Sequence, residues 1–141
     1  MALKASELTI GASRTEVIVD DLTRTQIVMY AGASGDYNPL HSDERYTTEV
    51  AGYPSVFAHG MLTMGMTGRV ITDWVGDGRL TKYGVRFSKQ VWPGDTLTTT
   101  VTLSSIVASS HGGALGEFDV STTNQHGDVV IVGSATARLD E

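Results

Sequence analysis

Asp36 and His41 stand five residues apart at the two ends of the segment Asp36-Tyr37-Asn38-Pro39-Leu40-His41. Gly35-Asp36 and Asn38-Pro39 are turn-forming dipeptides, so the segment reads as an ordered loop rather than a helix interior. Folded back on itself, such a loop can point a carboxylate and an imidazole into one cleft. Their reference pKa values, about 3.9 and 6.5, suit general acid–base work on a water held between them near neutral pH. The spacing by itself is equally compatible with a plainer arrangement. In that arrangement Asp36 closes an Asx-turn and His41 helps cap the following helix.

A second chemical element lies at Ala58-His59-Gly60-Met61. Here a long apolar helix begins, and a helix start carries unsatisfied N–H groups and partial positive charge. Gly60 lets a ligand approach its backbone N–H closely, and that donor suits an oxyanion such as the enolate of a thioester. Gly60 would also serve simple close packing. The remaining histidines, His111 beside Gly112-Gly113 and His126 before Gly127, read as hairpin-turn residues. No cysteine is present, which removes disulfides, thiolate zinc sites, cysteine nucleophiles and iron–sulfur ligation. His41 and His59 match no standard zinc spacing, so no metal site is expected. No Gly-x-Ser-x-Gly elbow or P-loop occurs.

These residues need a scaffold. The chain of 141 residues, 40% apolar and 18% charged, has the size and composition of one domain, residues 1–141. Its formal net charge of −6 gives no general attraction for phosphate backbones or anionic lipid, so neither nucleic acid nor membrane is an expected partner. The start, Met1 to Glu7, carries an early acid and no apolar run, unlike a signal peptide, and a cytoplasmic location is expected.

Residues 14–19 read as a strand. Thr23 followed by Gln26 is a capping-box pattern that starts a helix, with Ile27, Val28, Tyr30 and Ala31 as its apolar face and Gly35 as its end. Ser42 or Asp43 can cap a short helix to about Val50. Met61, Met64, Gly68, Ile71 and Val75 recur at helical spacing over residues 59–75, with Leu62, Met66, Val70 and Trp74 as a second line. A helix apolar around most of its circumference belongs inside the protein. Met61, Met64 and Met66 are candidates for lining an acyl tunnel, although methionines on a buried helix also serve plain packing.

From Leu80 onward the pattern alternates, giving four strands at 80–91, 95–107, 114–123 and 128–139 joined by turns. The resulting expectation is an α+β fold. An antiparallel curved sheet wraps a long central helix, and a helix-and-loop overhang carries the candidate site. An open curled sheet has edges to protect, which makes a dimer the expected state.

Taken together, these segments resemble a known family. Tyr30-Ala31-Gly32-Ala33-Ser34-Gly35-Asp36-Tyr37-Asn38-Pro39-Leu40-His41 is similar to the hydratase motif of the MaoC-type (R)-specific enoyl-thioester hydratases and dehydratases. Phe57-Ala58-His59-Gly60-Met61-Leu62 resembles that family's helix start. Val85-Arg86-Phe87 with Val91-Trp92-Pro93-Gly94-Asp95-Thr96-Leu97 resembles its strand–turn–strand segment. Ala58 to Gly65 and Trp74-Val75-Gly76-Asp77 are most similar to the B-subunit branch of the mycobacterial (3R)-hydroxyacyl-carrier-protein dehydratases.

The resemblance implies a hot-dog fold over roughly residues 8–139 and a lyase that reversibly hydrates trans-2-enoyl thioesters to (3R)-3-hydroxyacyl thioesters. It implies Asp36 and His41 as the catalytic pair, Asn38 as orienting residue, and the Gly60 N–H, with His59 beside it, at the thioester carbonyl. It implies no cofactor. Coenzyme A and acyl-carrier-protein thioesters both remain open as substrates. So do a homodimer and a heterodimer with a related hot-dog subunit in which this chain is the catalytic half. A hot-dog acyl-thioesterase is the competing activity, but those enzymes commonly place an acid on or near the central helix, and residues 61–72 contain none. Arg69, Arg79, Lys82, Arg86 and Lys89 are candidates for a local basic patch toward an acidic carrier.

Overall fold

The capping box forms as its residues require. Thr23 Oγ1 accepts from the Gln26 N–H while the Gln26 side chain accepts from the Thr23 N–H, and helix α1 runs Arg24–Ser34. Gly35 ends it in the left-handed region (φ 73°), with its N–H donating to the Ala31 carbonyl at 3.0 Å. A computed structural model describes residues 3–141. Met1 and Ala2, part of the start at Met1 to Glu7 read above, lie outside the described residues.

Strand β1 (Ser13–Val19) precedes α1. After α1 come a 3-10 turn at Pro39–His41, a short π-helical turn at Tyr46–Val50, and the long helix α2 (Gly60–Val75). Strands β2 (Leu80–Phe87), β3 (Leu97–Ala108), β4 (Ala114–Thr123) and β5 (Val129–Leu139) complete the chain. All pairings are antiparallel and the spatial order is β1-β3-β4-β5-β2. The sheet therefore has two edges, β1 and β2. Among the described residues no helix is long and apolar enough to cross a membrane.

Alternation along β3 does what the sequence pattern requires. Leu97, Thr99, Val101 and Leu103 are buried while Thr98, Thr100 and Thr102 are half-buried on the other face. The concave face receives α2. Its C-terminal half places Val70, Ile71 and Val75 against Val101, Leu103, Phe118, Val120, Ala135 and Ala137. Its first turns border a separate cluster of Val19, Leu22, Ile27, Ala58, Val91, Leu97 and Val130. Between the two, Thr67, Thr99 and Thr122 are buried and bond to one another. Thr122 Oγ1 lies 2.8 Å from Thr67 Oγ1 and 2.7 Å from Thr99 Oγ1. This closed set of hydroxyls meets the demand for partners inside an otherwise apolar interior.

Three expectations need correction. The strand read over 80–91 stops at Phe87: the Ser88 N–H still donates to the Val130 carbonyl of β5, but the chain beyond it leaves the sheet to meet the start of α2, where the Ala58 N–H donates to the Val91 carbonyl at 2.8 Å. The short helix after Asp43 is capped by Asp43 Oδ1 at the Tyr46 N–H but winds as a π turn, not an α-helix. Finally, α2 is not enclosed all round. Met61, Gly65, Arg69 and Asp73 form one exposed stripe at helical spacing.

Candidate functional site

Local side-chain bonds shape the loop after α1. The Asp36 N–H donates to Ser34 Oγ, the Asn38 N–H to Asp36 Oδ1 at 3.2 Å, and the Leu40 N–H to Asn38 Oδ1 at 3.1 Å. The Asx-turn considered as the plainer role of Asp36 is thus present. It uses one carboxylate oxygen and leaves an exposed acid. Asn38 acts on the loop itself by capping the turn that carries His41.

His41 is buried to 9% exposure, and its Nδ1 lies 2.6 Å from the Phe57 carbonyl. A carbonyl only accepts, so Nδ1 carries the proton and Nε2 keeps a lone pair, the tautomer a general base needs. Burial holds the His41 pKa below its ordinary value of 6.5, and His59 adds to that. The Phe57 carbonyl and the Asp36 carboxylate pull in the opposite direction. The ring therefore stands neutral at pH 7.

His59 packs directly on this ring, with centroids 3.9 Å apart and planes inclined by 28°, and Tyr30 meets it edge-on at 4.8 Å. His59 is 2% exposed, and its Nε2 lies 3.1 Å from the Asp36 carbonyl. It holds the main chain of the loop rather than facing a ligand, and its Nδ1 is buried without a partner. Asp36, His41 and His59 bring potential ligand atoms within 4.8 Å of one another. Stacked rings, however, carry in-plane lone pairs side by side, whereas a metal requires them to converge at about 2.0–2.1 Å. One nitrogen on each ring is also already engaged by a carbonyl. The arrangement suits a water between carboxylate and imidazole better than an ion.

Gly60 opens α2, and His59 as N-cap supplies no side-chain bond; the Leu62 and Thr63 N–H groups donate to the His59 carbonyl, while those of Gly60 and Met61 have no partner among the described residues. A Cβ at Gly60 would sit 3.1 Å from the Phe87 ring. Beside Gly60 is a cavity of about 280 Å³, bordered by Phe57, Thr63, Phe87, Val130 and Ile131, with Ser88–Gln90 also along it. A second cavity of similar size lies between β1, Tyr30 and α2, lined by Leu62 and Met66.

The methionine assignment needs correction. Met61 is 56% exposed, and neither Met61 nor Met64 lines either cavity; Met66 does. The basic patch is largely neutralised. Arg69 pairs with Asp73, Arg79 with Asp140 and Lys89 with Asp128, which leaves Lys82 and Arg86 without an ion pair among the described residues. His111 and His126 sit in exposed turns away from the cluster. Sequence reasoning missed Phe57, whose carbonyl fixes the His41 tautomer. A main-chain carbonyl carries no residue signature, so only the aromatic run Tyr53, Phe57 and Trp92 that packs around it offered any signal.

Residues 5–125 match the family described as MaoC like domain. The chain is 40% identical over 86 residues to the 3-hydroxyacyl-thioester dehydratase Y of Mycobacterium tuberculosis, which covers 59% of this chain and 30% of that protein. It is 32% identical to the (R)-specific enoyl-CoA hydratase of Rhodospirillum rubrum across 92% of this chain and 88% of that one. Among solved structures, the unliganded R-hydratase PhaJ1 from Pseudomonas aeruginosa superposes with a TM-score of 0.86, covering 99% of this chain and 87% of that chain at 23% identity. That likeness shows the hot-dog fold. The chain spans about a third of the length of the first curated relatives it matches.

Proposed function

This chain belongs to the MaoC-like domain family, and from that membership and the geometry of its site we propose that it hydrates trans-2-enoyl thioesters reversibly to (3R)-3-hydroxyacyl thioesters. One observation carries the reading. An exposed carboxylate, a neutral imidazole with a free Nε2 lone pair, and an unsatisfied helix-start N–H converge around the start of α2. Asp36 and His41 hold a water over the β-carbon. The water oxygen bonds to Cβ, a proton passes from the water to the Asp36–His41 pair, and one is delivered to Cα. Negative charge on the thioester oxygen falls to the Gly60 N–H and the positive end of α2. His59 and Asn38 keep the loop in register with the helix. The thioester is its own electron sink, so the reaction draws on no cofactor.

Coenzyme A and carrier-protein thioesters share this reacting group, and the acyl chain occupies one of the cavities flanking the first turns of α2. A second hot-dog unit, either a copy of this chain or a related subunit, covers the β2 edge. Phe87 and the exposed stripe of α2 support that reading, since both lie open in the single chain.

The test is hydration of crotonyl-CoA, followed by loss of the enoyl-thioester absorbance, with an (R)-specific dehydrogenase reading the product. Turnover that yields the (R)-alcohol and disappears in Asp36→Asn supports the assignment. Release of free thiol instead would point to thioester hydrolysis.

A further inference from the structure

Six threonines are buried among the described residues: Thr47, Thr63, Thr67, Thr99, Thr122 and Thr136. Five have partners. Thr47 donates to the Asp43 carbonyl, Thr136 to Glu117 Oε2, and Thr67, Thr99 and Thr122 bond to each other. Thr63 alone does not, although it is 2% exposed. Thr47 and Thr48 quench their hydroxyls on the carbonyl four residues back. For Thr63 that acceptor would be the His59 carbonyl, and the bond is not made. A buried hydroxyl with no partner costs stability that an isosteric valine would not, so the hydroxyl has another use.

Position indicates that use. A helical side chain covers the turn preceding its own Cα. Thr63 therefore overlies the turn of His59 and Gly60, and it lines the same cavity as Gly60. Gly60 brings no side chain to that surface. Within one cavity there are thus two donors without acceptors, the Gly60 N–H and the Thr63 O–H. A helical threonine populates two χ1 rotamers, so its hydroxyl can turn to a ligand without backbone movement.

We propose that Thr63 is a second hydrogen-bond donor to the thioester carbonyl oxygen, acting beside the Gly60 N–H. The inference rests on the hydratase reading above and deepens it. A backbone donor and a side-chain donor together bind the oxygen most tightly when negative charge builds on it, so Thr63 acts chiefly on turnover.

Thr63→Val keeps the shape and removes the donor; Thr63→Ser restores it. For crotonyl-CoA hydration, Thr63→Val is expected to lower kcat by roughly 100-fold with KM little changed. Its Tm should be equal to or above that of the parent, and Thr63→Ser should recover most of the rate. A Thr63→Val rate within about twofold of the parent overturns the proposal.

A measurement without turnover separates this proposal from the reading it rests on. Crotonyl-CoA carrying 13C at the carbonyl is bound to the Asp36→Asn chain, with and without Thr63→Val. Removal of the donor should move the carbonyl resonance toward its position in free thioester. An unchanged resonance overturns the proposal. A resonance that responds to Thr63 in a chain that hydrates no enoyl thioester keeps the carbonyl contact and overturns the hydratase reading. A thioester that neither turns over nor binds overturns both.

Discussion

The two ends of α2 are under different demands. At the C-terminal end, Val70, Ile71 and Val75 bury nothing but hydrocarbon against Phe118, Leu103 and Val101. At the N-terminal end, one turn gathers a stacked histidine pair, an exposed acid, unsatisfied N–H groups and two buried polar atoms without partners, His59 Nδ1 and Thr63 Oγ1. Such groups cost stability wherever they are buried unpaired. The fold tolerates them because the other half of the helix is anchored by dense packing. Stability and chemistry are thereby separated along one element, about four turns long.

That separation can be broken from either end. The largest effect belongs to Asp36→Asn, which should lower the hydration rate by roughly 10²–10⁴-fold, the range for loss of a general acid–base group. Because Asp36 is exposed, its Tm should shift little. An equal loss of Tm would merge the two ends. Phe118→Ala should do the reverse, costing about 3–5 kcal/mol in denaturant unfolding while the molecules that remain folded keep their kcat.

Gly68→Ala probes the middle of the helix. Its new Cβ would sit 3.0 Å from the Tyr83 ring, whose hydroxyl donates to the Met64 carbonyl and whose burial pushes its pKa to about 12. The expected cost is about 1–3 kcal/mol from overpacking.

The smallest effect is the pH dependence of His41. Its folded pKa is depressed, so below about pH 6.5 the unfolded chain takes up a proton that the folded chain refuses. Stability should decline as pH falls through that value and stop declining, for this group, at the depressed folded pKa. The acid limb of kcat/KM should likewise lie below 6.5. His41→Gln should flatten that part of the Tm–pH curve.

Much of this was legible in the sequence because it is written in local chemistry. The Thr23–Gln26 box, the Gly35 stop, the alternation of β3 to β5, and the Asp36–His41 loop each depend on residues close together in the chain. What was hidden depends on contacts between distant segments. The chain beyond Ser88 continues a strand-like pattern, yet it is drawn off the sheet by a main-chain bond between Ala58 and Val91, which no side chain announces. Met61 has the spacing of a core residue, but its face of α2 meets no element of this chain. The stacking of His59 on His41 joins residues 18 positions apart, and a histidine before a glycine signals only a helix start. Thr63 looks like any helical threonine until its missing partner is seen.

The hydroxyl set of Thr67, Thr99 and Thr122 carries a consequence for how this interior can change over generations. Each hydroxyl lies within bonding distance of the other two, at 2.7, 2.8 and 3.5 Å, so valine at any single position leaves one of the remaining protons without an acceptor. Three valines together leave nothing stranded. The single substitutions should each be worse than the triple one, so the three positions are inherited as a unit: the route from a hydroxylic to a hydrocarbon interior crosses a valley that stepwise drift must descend into and climb out of.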